Sequence, residues 1–544
     1  MGALRRFQND NLLEALMTNV AERRSQRREA RRHTPVVQPG ALINKLSPTE
    51  VVSAEGVELI HAASMRLLRE HGILIVDYPA AAETFRKAGA SVEWVDAEHL
   101  YPNGDTTKVC GHLVKMEEEL LLQHLRNAPS EFTQLARNPA RNMDIGGKRT
   151  VFAPVYGPPF VADYEHGRRS ATLEDFQNFA KLAYMAPQIH HNGGTLVEPN
   201  DVEVKERHLD MLLAHALCSD KCFMGSVTHR ENARDTVLFS EVLFGADNIR
   251  THPATLSLIN ASSPLRFDDR MFGALEIYAR ARQAILVTPF LIAGAMSPST
   301  MAATLAQQNA EALFGICYAQ MLCPGVPVIY GSFLANIDMR SGAPCFGTPE
   351  DALALYAGAQ MARRYKLPYR SGGNFTGSRI PDAQAGYESA STMWPTIQAG
   401  VNFVLHSAGW LEGGLIAGYE KFVIDLEMCG IMARYMNGIG LEEEDFAWDA
   451  YRDVPPGGHF LGAAHTMRHY DTAFYQHGVF NMDNYEKWEA EGSVDTYKRA
   501  HGIWKRMLQE YEAPPIDPAV RDALQDFVAR RRADIRAGKL NRPD

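Results

Sequence analysis

The stretch PGVPVIYGSFLANIDMRSGAPCFGTPE, residues 324–350, decides how the chain is read. Its apolar run Val326–Tyr330 has the composition of a buried strand and stops abruptly at Gly331 and Ser332. A polar loop holding Phe333, Asn336, Asp338 and Arg340 is expected to follow. Thr348-Pro349-Glu350 then reads as a helix N-cap with proline at the first helical position. A strand whose C-terminal end opens onto glycine and polar residues is where α/β folds place their chemistry.

The unit repeats on both sides. Apolar runs at Thr150–Ala153, Gln188–His190, Cys222–Met224, Thr255–Ile259, Ile285–Ala293, Val326–Tyr330, Tyr369–Arg370 and Phe403–Leu405 make eight candidate strands. Helix starts lie between them, at Thr172-Leu-Glu-Asp175, Thr228-His-Arg-Glu231, Ser299-Thr300, Thr348-Pro349 and Asp382, and a last helix covers Gly418–Tyr435. This alternation predicts parallel strands with crossover helices. Eight units over residues 149–440 have the size of a (β/α)8 TIM barrel. A doubly wound open sheet is the alternative, but no GxGxxG follows a strand and no Walker A sequence occurs.

Three further regions flank the repeat. Residues 1–45 form a basic arm with eight arginines before residue 33. Residues 46–148 read as an α+β region. There Ser47-Pro-Thr-Glu50 makes a capping box opening an amphipathic helix, Gly72 closes it, and short strands follow at Ile73–Val76, Ser91–Val95 and Lys108–Cys110. Residues 441–544 read as a helical extension, with helices near 493–511 and 517–537, the second surface-like.

The 544 residues are 46% hydrophobic and 22% charged with a net charge of -10, values of a globular protein that does not bind nucleic acid through a basic domain. The arginine-rich arm is expected to pack on a neighbouring subunit, in a homo-oligomer, or to be partly disordered. The seven cysteines form no CxxC pair and read as reduced thiols. With no apolar run of 18 residues and no signal peptide, the expectation is a cytoplasmic protein without a membrane partner.

The candidate strand ends present Tyr156-Gly157, His191-Asn192-Gly193-Gly194, Gly225-Ser226, Asn260–Ser263, Gly294, Gly331-Ser332, Gly372-Gly373-Asn374-Phe375 and His406-Ser407. Recurrent glycine lets a bulky ligand approach the backbone at a barrel mouth, or simply closes tight loops. Other residues have plainer readings. His465 and His469 have metal-ligand spacing but no intervening glutamate of the HExxH kind, and a helix packed on the barrel explains them, so no metal is expected. Cys218 and Cys222 fit a core position. Asp338 fits a loop-capping carboxylate and His406 a satisfied core histidine.

Taken together, Ser263-Pro-Leu265, Gly294-Ala-Met-Ser-Pro298, Gln308-Asn-Ala-Glu311, Pro324–Gly331, Ile337-Asp-Met-Arg-Ser-Gly342, Asp382–Glu388, Gly418–Lys421 with Asp425, and Gly457-Gly-His-Phe-Leu461 with His465-Thr466 resemble the trimethylamine methyltransferase family, in order, from about residue 35 to about 515. The resemblance implies a (β/α)8 barrel that moves a methyl group from a methylated amine to the cobalt of a corrinoid protein. It places the chain in a family related to methanogenesis, whose methanogen members carry pyrrolysine. This sequence has only the twenty standard residues, so it resembles the pyrrolysine-free branch, where glycine betaine and similar quaternary amines are substrates. It has no Asp-x-His-x-x-Gly corrinoid motif, so no tightly bound cofactor is expected and the corrinoid should arrive on a separate partner protein. A quaternary ammonium has no donor and is held by aromatic faces; Tyr156, Phe333, Phe375 and Trp410 are the candidates. Asn192, Asn374 and His406 are candidates for a betaine carboxylate, and Asp338 and Glu311 for offsetting charge or ordering the loop. The catalytic set is therefore expected to be Asp338, His406 and Glu311. Two alternatives stand: demethylation of a tertiary methylamine, with a general acid near His406, and a non-catalytic methylamine-binding barrel.

Overall fold

Apolar runs too short and too continuous to alternate become parallel strands buried on both faces. In the computed structural model, which describes residues 40–539, seven such strands form the main sheet. They are β1 Arg149–Phe152, β2 Phe223–Met224, β3 Thr255–Ile259, β4 Ala284–Val287, β5 Val328–Gly331, β6 Tyr369–Arg370 and β7 Phe403–Val404. Strands β2 to β7 pair in sequence order and β7 pairs with β1, all in parallel. Leu42–Ile43 adds an antiparallel strand on the outer edge of β1.

The two faces of the sheet belong to different cores. Val151, Leu256, Leu258, Leu286, Ile329 and Phe403 pack with one another and with Met143 and Ile145. Their neighbours Phe152, Ile259, Ile285, Val287, Tyr330 and Val404 pack against the helices. One face therefore closes on itself, which makes the architecture mixed α/β with a curled sheet and not a flat sheet covered on both sides. The most buried helix is Met301–Leu322, buried around most of its circumference, with Gln308, Asn309 and Glu311 among its buried side chains.

The sequence reading needs correction at several places. Gln188–His190 is not a strand. Instead the backbone N–H groups of His190 and His191 both donate to the Phe152 carbonyl, Asn192 donates to Cys222, and Met224 donates to Gly193. The segment bends because the His190 Nδ1 takes the Phe152 N–H and Gly193 has φ of 75°. Ile285–Ala293 is two strands, since Phe290–Ala293 leaves the main sheet to pair with Phe333–Ile337. The polar loop expected after Tyr330 is thus a strand, turned back as a hairpin onto Pro344–Cys345. Ser47–Glu50 opens no helix. Thr49 N–H donates to Gln398, those of Val51 and Val52 go to the Gln360 side chain, and the helix Ala54–Arg66 is capped by Ser53. His229, not Thr228, caps the helix Arg230–Phe244.

The helix Pro518–Arg536 is less peripheral than expected. Leu524, Phe527 and Val528 are buried, and Arg531, Arg532 and Arg536 pair with Asp235, Asp210 and Glu206. The short helix Ala464–His469 buries no residue, so it does not pack on the barrel as read. The predicted basic arm lies outside the described residues except for 40–45. Among the described residues, no helix is long and apolar enough to cross a membrane.

Candidate active site

The C-terminal ends of β5, β6 and β7 deliver their loops to one place. Phe333 follows β5, Phe375 follows β6 after two glycines, and His406 and Trp410 follow β7. Gly372 and Gly373 have positive φ, and a side chain at Gly373 would meet the carbonyls of Leu405 and His406, so glycine lets the two loops lie together. Phe333 meets Phe375 at 5.3 Å, His406 at 5.5 Å and Trp410 at 5.9 Å between ring centroids. Trp410 meets His406 edge-on at 4.6 Å and Phe375 at 5.0 Å. Phe346, on the far side of the hairpin, completes the cluster against Phe333, Phe375 and Trp410.

Below the rings lies a residue that sequence reasoning did not select. Arg370, the last residue of β6, is 1% exposed. Its guanidinium sits 5.0 Å from the Phe333 ring centroid. It donates one hydrogen bond, to Thr288 Oγ1 at 3.1 Å, and its Nε has no partner. Burial pushes its pKa down to about 10, so at neutral pH it remains charged. The indole Nε1 of Trp410 is also buried without an acceptor. Two unanswered donors thus border Phe333, one carrying a full positive charge.

His406 occupies a left-handed conformation, with φ of 67°. Its Nδ1 accepts the Tyr156 N–H at 3.2 Å, which assigns the ring proton to Nε2. Burial, with help from the Arg370 charge, holds its pKa well below the usual histidine range, so the ring is neutral. Asn374 donates to the Ser407 carbonyl at 2.6 Å and leaves its Oδ1 unpaired. A buried ion pair ties these loops down. Lys421 Nζ bonds Asp425 at 2.5 Å and reaches the Asn374 carbonyl, while Asp425 accepts the Gly409 N–H at 2.9 Å.

The remaining candidates stand apart from the rings. Tyr156 touches the site through its backbone, and its ring packs over Gly194. Asn192 is buried against His215 Nδ1 at 2.9 Å. Glu311 is buried on the long helix, where it accepts from Ser263 Oγ, the Leu265 N–H and Gln307. Burial raises its pKa, and these bonds tie the Ser263–Leu265 loop to the helix. Asp338 lies at the exposed tip of the hairpin, accepting from the Arg340 N–H and Ser341 Oγ, which lowers its pKa. Beside Phe333 and Phe375 lies a cavity of about 10 Å³, one water in size. It is lined by Asp351, whose carboxyl burial raises to about 7. Neither Arg370 nor Phe346 carried a sequence signal: one ends a two-residue strand, the other lies beyond an exposed turn.

Comparison with known proteins follows the same lines. Residues 20–536 match the family described as Trimethylamine methyltransferase (MTTB). The chain is 42% identical to a glycine betaine methyltransferase of Desulfitobacterium hafniense (strain Y51), over 89% of this chain and 98% of that one. It is 28% identical to the trimethylamine methyltransferase MttB of Desulfitobacterium hafniense (strain DSM 10664 / DCB-2), over 88% and 92%. It is 30% identical to a proline betaine:corrinoid methyltransferase of Eubacterium limosum, over 89% and 98%. The chain belongs to the trimethylamine methyltransferase family.

Proposed function

We propose that this methyltransferase binds a betaine, a quaternary ammonium with a carboxylate such as glycine betaine, and gives up one of its methyl groups to the cobalt of a separate corrinoid protein. The observation that carries the reading is Arg370: a buried guanidinium that, among the described residues, pairs with no carboxylate, beneath a cluster of aromatic rings. The betaine carboxylate answers that charge and accepts from Arg370 Nε and Trp410 Nε1, and from His406 Nε2. The trimethylammonium end lies among Phe333, Phe375 and Trp410, each face contributing about 0.5–2 kcal/mol. The rings touch one another at 4.6–5.9 Å, so the ligand enters as they part. A substrate with both charges fits a site with a cation and π faces better than trimethylamine does, which has no carboxylate.

The corrinoid supplies the nucleophile, and this chain's residues bind, orient and keep water out. A quaternary nitrogen leaves as a neutral amine and requires no proton. That suits His406, whose neutral ring makes a poor general acid, and it weighs against a tertiary amine. Four further readings belong here. The bonds of residues 190–193 to Phe152, Cys222 and Met224 support an eighth stave that closes the sheet as a (β/α)8 barrel. The corrinoid arrives on a partner protein at the mouth. A cytoplasmic location accords with seven free cysteines. Glu311 and Asp338 act by holding loops.

The test is methyl transfer to free cob(I)alamin, with and without a corrinoid protein, from glycine betaine, trimethylamine, choline and dimethylglycine. Transfer from the betaine, lost in Arg370→Met, is expected. Equal transfer from choline would sink the carboxylate reading, and betaine binding without transfer under either condition would leave a binding module.

A further inference from the structure

The chain between helix Tyr419–Met436 and helix Thr496–Gln509 has almost no core of its own. From residue 438 to 485 only Ala450, Ala463 and Val479 are buried. Twelve large apolar side chains there are exposed, among them Ile439 at 86%, Leu441 at 74%, Leu461 at 78% and Phe474 at 82%. Part of this surface is continuous: Phe446, Trp448, Tyr451 and Phe460 follow one another at 6.3, 6.0 and 5.5 Å between centroids. Where it rejoins the rest of the chain, Glu427 accepts from the Gly478 and Val479 N–H groups and bonds His477, Tyr475 donates to the Glu427 carbonyl, and Arg499 donates to the Val479 carbonyl.

We propose that residues 438–475 form an arm that packs on the body of a second copy of this chain. Three observations choose that occupant. The first is area. The ten of these side chains that lie within 438–475, each about two-thirds exposed, offer on the order of 1,200 Å² of apolar surface, against roughly 300–600 Å² for the largest patch on a typical monomer and about 800 Å² per partner in a standard interface. Surface of that size and apolarity belongs to permanent association, not to a transient encounter with a methyl carrier. The second is place. Lys45 N–H bonds the Met436 carbonyl and Asn44 N–H bonds Lys148, just before β1, so the arm leaves at the end of the sheet away from the mouth. The helix of 18 residues that leads there is about 27 Å long. A protein that must present cobalt to the mouth is not served by a segment rooted at the opposite end. The third is charge. Residues 438–475 hold seven acidic residues against two arginines, so two arms do not lie face to face. Each arm crosses to the other copy's body.

Sedimentation of the unmodified full chain alone, through the micromolar range, is expected to show an assembly of two or more copies. The double variant Leu461→Glu/Phe474→Glu is expected to fall to a monomer with an unchanged unfolding midpoint of the body. A monomeric parent chain, or an assembly that survives both substitutions, would overturn the proposal. Limited chymotrypsin digestion of the unmodified protein gives a second reading. The arm is expected to resist cleavage in the assembly and become cleavable on dilution; cleavage between 439 and 475 at equal speed in both conditions would overturn it as well.

Discussion

A guanidinium taken out of water costs several kcal/mol unless an anion or full hydrogen bonding answers it. Arg370 keeps a single hydrogen bond and a ring face, which leaves the unliganded protein carrying an unmet charge. Two effects of opposite sign follow for Arg370→Met. The folded chain without ligand should melt at the same or a higher temperature, while kcat/KM for a betaine falls by about 2–4 kcal/mol, some thirty- to a thousandfold. A lower melting temperature with unchanged transfer would show that the charge serves the fold alone. Asp338 makes the reverse case. Its carboxylate is satisfied within its own turn, so Asp338→Ala should leave transfer within a few-fold of the parent. A loss of a hundredfold would bring the hairpin tip into the chemistry.

At the scale of elements, the site depends on two loops held by a pair beneath them. Asp425 fixes Gly409, next to Trp410, and Lys421 reaches the carbonyl of Asn374, next to Phe375. Removing one partner leaves a buried charge and costs about 3–5 kcal/mol. Asp425→Asn should therefore lower the denaturant midpoint markedly and raise KM, and Lys421→Met/Asp425→Leu should recover stability without recovering KM. A single variant as stable as the parent would mean that the pair is not ionised. These dependencies explain which parts of the fold were legible in the sequence. Caps at Thr172, Thr348 and Asp382 were legible because the bonds that make them span three residues. The turn of the chain at 190–193 was not, because its partners Phe152 and Cys222 lie about thirty to forty residues away in either direction. Phe333 was read as part of a loop because only its pairing with Phe290 makes it a strand. The aromatic set after the strands could be read one residue at a time, whereas Arg370 became visible only once burial showed what it lacked.

For the whole molecule, the buried histidines set the response to acid. Burial holds His190 and His191 down to about 3 and His215 to about 4, against about 6.5 in an unfolded chain. His190 Nδ1 accepts the Phe152 N–H and His191 Nδ1 accepts the Gly193 N–H, so a proton at that nitrogen of His190 breaks a bond of residues 190–193 to β1, and one at that nitrogen of His191 breaks the turn within them. Depressed folded values mean that the unfolded state binds protons first. The stability they contribute is present above about pH 6.5 and is lost as the pH falls toward their folded values. At pH 5 each ring accounts for about 2 kcal/mol of that loss. Buried acids oppose it, among them Glu311, whose pKa burial also raises. Asp351 and Asp425, raised by burial to about 7 and about 6, take up protons in the folded chain first, and together they return roughly 4 kcal/mol at pH 5. Three histidines outweigh these two carboxyls, and His406, also depressed, stands on their side as Glu311 stands on the other. The unfolding midpoint in urea should therefore fall between pH 7 and pH 5, before most surface carboxylates titrate. A midpoint that stays level or rises over that interval would mean that these rings are already open to water and that the connection at 190–193 is not the buried element described here.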